Sequence, residues 1–246
     1  VVVTENSRTA VSEMFRLLRA NLAYVTPGIE MKSMIITSST SGEGKSYICL
    51  NLGMTMALTG KKVLIVELDL RKPKQEQYLN VERSDEGVVN YLISPTMPAY
   101  KVIRNTGLHA NLDFISSGPV PPNPGELILS PRLRTLIDEM RDKYDFIIID
   151  APPVGRVADA LQMKDLAEAT MYVVRTGYTR KGQLQIVEDI AAKNKMPKPF
   201  IVLNGMPVNK PGYTGAYTYG YGYGYGGGKG YYEPEKKATK KAKQKV

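Results

Sequence analysis

The sequence contains no tryptophan, one cysteine and one histidine in 246 residues. A lone thiol, Cys49, excludes an internal disulfide and suggests a reducing compartment. It falls within a helical pattern, where it reads as a small buried filler. A lone imidazole, His109, lies in a polar stretch and argues against histidine-based catalysis or a His-rich metal site. No run of eighteen apolar residues occurs, so no segment reads as a membrane span, and no signal peptide is visible. An initiating methionine is also missing before Val1-Val2-Val3, as expected of a piece of a longer protein.

The length suits one α/β domain with a tail. A domain of this size buries roughly 70–75% of its unfolded surface, enough for a substantial core. The net charge of +9 is unevenly distributed. Between Lys229 and Val246 seven Lys and two Glu give +5, so the basic balance largely belongs to the C-terminal end. That end reads as solvated chain.

The most informative stretch is Ser38-Ser39-Thr40-Ser41-Gly42-Glu43-Gly44-Lys45-Ser46, between the apolar run Met34–Thr37 and a helical pattern through Ile48, Leu52 and Met56. Strand, glycine loop and a Lys-Ser pair opening a helix are the context of a phosphate-binding P-loop. Gly42 and Gly44 allow the backbone amides to turn inward toward an anion. The helix adds the positive end of its dipole. Lys45 is expected to reach terminal phosphates and the Ser46 hydroxyl to hold Mg²⁺. Ser39 stands where the first glycine of GxxxxGK[ST] belongs.

Two further strands end in acids. Val63–Val66 runs into Glu67-Leu68-Asp69-Leu70-Arg71-Lys72-Pro73, whose two carboxylates at i and i+2 share one face. Phe146–Ile149 delivers Asp150 to the same carboxyl edge of a parallel sheet, followed by Ala151-Pro152-Pro153. Acids there can hold Mg²⁺ or accept a proton from a hydroxyl substrate. Asn204, ending a strand at Phe200–Leu203, can contact a base or form a turn. Strands also read at Leu112–Ile115 and Met171–Val174. Helices read near 87–92, 126–129, 131–143, 159–166 and 179–193. This alternation predicts a P-loop NTPase-like α/β fold, a mostly parallel sheet with helices on both faces.

Ahead of the sheet, Val11, Met14, Phe15, Leu18, Leu22 and Val25 form a helical apolar stripe. Glu13, Arg16 and Arg19 fall on another flank, and spacing alone makes them a solvated charged face. After residue 208 the composition changes. Tyr213, Tyr217, Tyr219, Tyr221, Tyr223, Tyr225, Tyr231 and Tyr232 alternate largely with glycine, and six lysines follow from Lys236. Such sequence cannot pack a core, so residues 209–246 read as a flexible tail. Its tyrosines suit stacking on single-stranded nucleic acid or, with small neighbours, phosphoryl acceptance.

Together these features resemble the bacterial tyrosine kinases that control capsule and exopolysaccharide synthesis. Ser39–Ser46 looks like the family's Walker A motif, Glu67–Arg71 its Walker A′ and Ile147–Asp150 its Walker B. Glu13-x-x-Arg16-x-x-Arg19 resembles its oligomerisation motif within residues 1–28, and the tyrosine tail its autophosphorylation cluster. Pro121–Pro124 with Glu126-Leu127 is also typical. Glu67, often Asp in the family, and Ser41, often Pro, depart from the pattern. The resemblance implies a kinase domain over residues 1–208 that uses ATP and Mg²⁺. It assigns catalysis to Lys45, Glu67, Asp69 and Asp150, nucleotide contacts to Ser41–Ser46 and Asn204, and metal contacts to Ser46, Asp69 and Asp150. It further implies an octameric ring, a transmembrane activator or polysaccharide co-polymerase region, a tyrosine phosphatase, protein substrates, and a place on the cytoplasmic face of the bacterial inner membrane. Nucleic acid is not an expected partner. The motifs HRD, DFG and VAIK of eukaryotic kinases are absent, so the activity must be built on the P-loop. The competing reading is a partitioning or septum-positioning ATPase, whose signature lysine early in the loop is here Thr40.

Overall fold

The computed structural model describes residues 1–28, 31–79, 81, 84–155 and 159–206. The boundary at 208 and all eight tail tyrosines lie outside the described residues. Among the described residues, seven strands form one sheet in the order β3-β4-β2-β5-β1-β6-β7. In chain order they are β1 (Ser33–Ser38), β2 (Val63–Glu67), β3 (Arg104–Asn105), β4 (Leu112–Ile115), β5 (Phe146–Asp150), β6 (Ala169–Arg175) and β7 (Pro199–Asn204). All pairings are parallel except that of β3, which runs against β4. The helices are α1 (Ala10–Leu22), α2 (Lys45–Ala57), α3 (Gln75–Leu79), α4 (Val88–Ile93), α5 (Pro124–Ile128), α6 (Pro131–Arg141), α7 (Asp159–Gln162) and α8 (Leu184–Ala192).

The central strands are apolar throughout because both faces are covered. On one face Ile35, Leu64, Val66, Ile147 and Ile149 pack against residues of α4, α6, α7 and α8. On the other, Met34, Ile36, Val63, Ile65 and Ile148 pack against α2, and α2 against Phe15 and Leu22 of α1. Alternate residues of each strand thus serve opposite cores, as the period of two requires. α6 begins as its sequence dictates: Ser130 accepts a hydrogen bond from Arg132 N, and Pro131 occupies the first helical position.

Three expectations are corrected. Met14 is 59% exposed and lies off the buried stripe of α1, because α1 meets α2 through a narrow face centred on Phe15. Phe15 meets Tyr47 of α2 edge-on, with centroids 5.9 Å apart. The expected helix at 179–193 begins as a 3₁₀ turn at Lys181–Gln183 and becomes α-helical only at Leu184. The short elements α3 and β3 are additions to the expected set. Among the described residues, no helix is long and apolar enough to cross a membrane.

Candidate active site

The loop after β1 adopts the conformation its glycines permit. Gly42 and Gly44 have φ of +94° and +101°, a region open to glycine at little cost. Gly44 caps α2, whose first turn carries no acidic side chain, so the positive helix end stays available to an anion. The loop opens on a cleft of about 290 Å³. Ser41, Gly42, Gly44, Lys45 and Ser46 line it on one side, and Asp69, Lys72, Lys74 and Tyr78 on another, with Arg175, Asn204 and Gly205 closing the rim. Four cations converge there, which favours a polyphosphate. A second hollow, of about 360 Å³ around Lys32, Lys62 and Arg141, lies at the opposite, amino-terminal end of the strands.

Glu43 does not face the cleft. Its side chain is fully buried, and its carboxylate accepts hydrogen bonds from the Ser39 hydroxyl and Thr40 N, each at 2.7 Å, and from the Thr179 hydroxyl. A hydroxyl at position 39 thus supplies a bond where a first glycine would have none. The segment after β6 holds the loop from outside. Arg175 Nη1 donates to Gly42 O at 2.8 Å and the Tyr178 hydroxyl to Ser41 O at 2.9 Å. The Arg175 guanidinium also sits 5.3 Å from the Tyr178 ring centroid. Asn204 Nδ2 donates to Glu43 O at 2.9 Å, so Asn204 both lines the cleft and braces the loop. With the outward carbonyls held in this way, the loop is set before any ligand arrives.

The acids occupy different depths. Lys45 is buried and its Nζ lies 3.9 Å from Asp69 Oδ2 at the cleft wall. Burial raises the Asp69 carboxyl above its ordinary range, the Lys45 charge opposes this, and Asp150 adds to it. Glu67 and Asp150 pair in register on neighbouring strands, behind the cleft, each 1% exposed. Glu67 accepts from Lys74 N at 2.5 Å, Gln75 N at 2.8 Å and Ser117 N at 3.3 Å. Burial pushes its carboxyl up to about 7 despite these bonds. Asp150 Oδ2 accepts from Gln75 Nε2 at 2.7 Å. Beneath it, the Cys49 thiol is pushed well above its ordinary range by burial and by the Asp150 charge, which makes it inert as a nucleophile.

Lys45, Ser46 and Asp69 therefore meet at the cleft as the motifs imply, Asp150 stands behind them, and Glu67 is directed at backbone amides. Glu13 and Arg16 form an ion pair on α1, Arg16 also donates to Ser7 O at 2.9 Å, and Arg19 Nη1 donates to Thr55 O at 3.0 Å. From sequence, Lys74, Tyr78, Gln75, Arg175 and Tyr178 were not singled out, Thr179 was read only as a helix cap, and Lys72 only as part of the run after the acids. For Arg175, the terminal position on a parallel strand was an available signal.

A family model described as an AAA domain matches residues 31–200. Tyrosine-protein kinase YwqD of Bacillus subtilis is 33% identical over 217 residues, which cover 88% of this chain and 90% of that protein. The solved kinase domain of the Escherichia coli tyrosine kinase ETK superposes with a TM-score of 0.74 at 29% identity, over 85% of this chain and 80% of that one. The septum site-determining protein MinD of Pyrococcus horikoshii, complexed with Mg-ADP, shares the fold at 22% identity and a TM-score of 0.57, over 70% of this chain and 69% of that one. With a relative matched over nearly its whole length and its P-loop and acidic strand ends in place, this chain belongs to the bacterial tyrosine-protein kinase family.

Proposed function

We propose that this chain is an ATP- and Mg²⁺-dependent protein-tyrosine kinase that phosphorylates its own C-terminal tyrosine cluster in trans and thereby regulates capsule or exopolysaccharide synthesis and export. The observation that carries the reading is the convergence of Lys45, Ser46 and Asp69 on one cation-lined cleft, with Asp150 behind it. Ser46, Asp69 and Asp150 would hold the ion, which when bound would neutralise charge on the β- and γ-phosphates. They fit it: all offer oxygen ligands, and the buried Asp150 Oδ1 has no N–H or O–H donor among the described residues, leaving it open to a metal-bound water.

In this mechanism Lys45 and the amides at the start of α2 hold the phosphates of ATP. Lys72, Lys74 and Arg175 at the rim add positive charge. A tyrosine of a neighbouring subunit enters the cleft and its phenol oxygen attacks the γ-phosphorus. An O–P bond forms, the bridging bond to the β-phosphate breaks, and ADP leaves. Asp69, whose carboxyl is raised by burial, orients the phenol and takes its proton. Glu67, tied to three amides, instead fixes the shape of the loop that presents Asp69.

For assembly we rely on α1. Its outward side carries exposed Met14 and Leu17, next to the Glu13-Arg16 pair, and exposed Tyr24 follows in the turn after it. A ring of subunits would bring each tail to a neighbour's cleft, and phosphates at about −1.5 to −2 charges each would loosen it. A membrane-spanning activator, a phosphatase that resets the tail, and a site of action at the cytoplasmic face of the inner membrane complete the reading.

Incubation with ATP and Mg²⁺ should place phosphotyrosine between Tyr213 and Tyr232 by mass spectrometry, and Lys45→Met should abolish it. ATP hydrolysis without tail phosphorylation would overturn the reading. Glu13→Ala, Arg16→Ala and Arg19→Ala combined should remove large species in light scattering, and an unchanged size distribution would return these residues to a solvated face.

A further inference from the structure

α3 opens at Gln75, which no motif singles out. Its side chain is fully buried, a rare state for glutamine and a costly one unless both ends of the amide are bonded. One end is bonded, through Nε2 to Asp150 Oδ2 at 2.7 Å. The orientation follows from chemistry, since the reverse would set a carbonyl oxygen against a carboxylate. The other end, Oε1, is buried with no donor among the described residues, and so is the second oxygen of the same carboxylate, Asp150 Oδ1, apart from the weak thiol of Cys49. Buried oxygens without donors are uncommon and call for an explanation. Here two belong to side chains that are bonded to each other.

Gln75 is itself held in place. Its backbone N–H donates to Glu67 Oε1 at 2.8 Å, and Glu67 pairs in register with Asp150 across β2 and β5. One residue therefore spans both acidic strand ends. It also anchors the segment carrying Asp69, Lys72 and Lys74 to the sheet.

We propose that Gln75 is a positioning residue for the metal-binding acid. By occupying Oδ2 it fixes the Asp150 carboxylate and presents Oδ1, together with its own Oε1, to water in the hydration shell of the cation carried by ATP. Gln75 touches neither substrate nor reacting atoms and acts through Asp150 and that water. The inference rests on the Mg²⁺-ATP reading above. Partners of this kind typically govern metal affinity by 10–100-fold.

The test uses Mn²⁺ as probe, read by electron paramagnetic resonance with the ADP-loaded protein. Gln75→Met keeps length and volume but has no donor. It should weaken Mn²⁺ binding at least about tenfold, while ADP affinity in EDTA stays at the wild-type value. In kinase assays the Mg²⁺ needed for half-maximal rate should rise, with KM for ATP at saturating Mg²⁺ unchanged. Should that variant fail to fold, the wild-type protein gives the answer by nuclear magnetic resonance. The Gln75 side-chain amide should exchange slowly, and should shift when Mg²⁺ is added to the ADP complex. Mn²⁺ affinity within twofold of wild type in a folded variant, or an amide signal indifferent to Mg²⁺, would overturn the assignment. A wild-type protein that binds ADP but no Mn²⁺ would instead remove the metal reading on which it stands.

Discussion

Replacing Glu67 by Gln separates an anchoring acid from a catalytic base, and its size can be worked from the structure. Burial, reinforced by the Asp150 charge and opposed by three backbone amides, moves the Glu67 carboxyl from 4.5 to about 7. The folded protein therefore keeps a proton that the unfolded chain has already released between those two values. There the unfolded state binds fewer protons, so stability falls as pH rises from about 4.5 to about 7 and levels off above. At 1.36 kcal/mol per unit of displacement the loss amounts to roughly 3 kcal/mol. Glutamine has no proton to lose and escapes it. The variant carries its own constant penalty, because its NH₂ must face Ser117 N–H where a carboxylate oxygen accepted at 3.3 Å. That lost bond costs about 1 kcal/mol at every pH. The Asp69 carboxyl is also raised by burial, but it is present in both proteins and largely cancels in the difference. Urea unfolding at pH 4, 5.5, 7 and 8, in EDTA and without nucleotide, should show the wild type the more stable at pH 4 and the variant the more stable at pH 8. Two stability curves that stay parallel to within about 0.5 kcal/mol would refute the argument.

Two other changes probe the supports of the site. Arg132 donates to the carbonyls of Tyr91, Pro95 and Met97 at 3.0, 2.9 and 3.2 Å, and its guanidinium stacks 4.3 Å from the Tyr91 ring centroid. Arg132→Met should cost about 2–4 kcal/mol and lower the Tm by roughly 5–10 °C in calorimetry, with Arg132→Lys recovering only part. Thr179→Val removes the hydroxyl that donates to Glu43 and accepts from Arg175 N at 2.9 Å. A looser P-loop should weaken ADP binding by roughly fivefold, about 1 kcal/mol, in displacement of a fluorescent analogue. An unchanged affinity would show that the outer segment does not set the loop.

The central strands β2 and β5 were legible in the sequence because burial on both faces writes them as unbroken apolar runs, Val63–Val66 and Phe146–Ile149, each closed by an acid at the sheet's carboxyl edge. The elements that escaped were those too short for periodicity to register. β3 is two residues of edge strand, Arg104–Asn105, and α3 is five residues in which Gln75 and Leu79 are the buried pair. The stripe of α1 was over-read at Met14 because spacing of three and four marks a face without fixing its width. That width depends on how much partner the helix finds.

The site divides along the same line. Which acids reach the sheet edge follows from strand ends, but which way each carboxylate turns depends on chain far away. Glu67 is captured by amides at Lys74, Gln75 and Ser117, the last of them fifty residues on. Glu43 is drawn into the loop by Thr179, 136 residues distant. Aspartate at position 67 would be one methylene short of those amides, so the longer side chain found here is what allows one carboxylate to tie the β2 exit to the segment after β4. In the proposed mechanism, glutamate at position 67 serves as that brace. In that mechanism the chemistry then falls to Asp69, whose carboxylate faces Lys45.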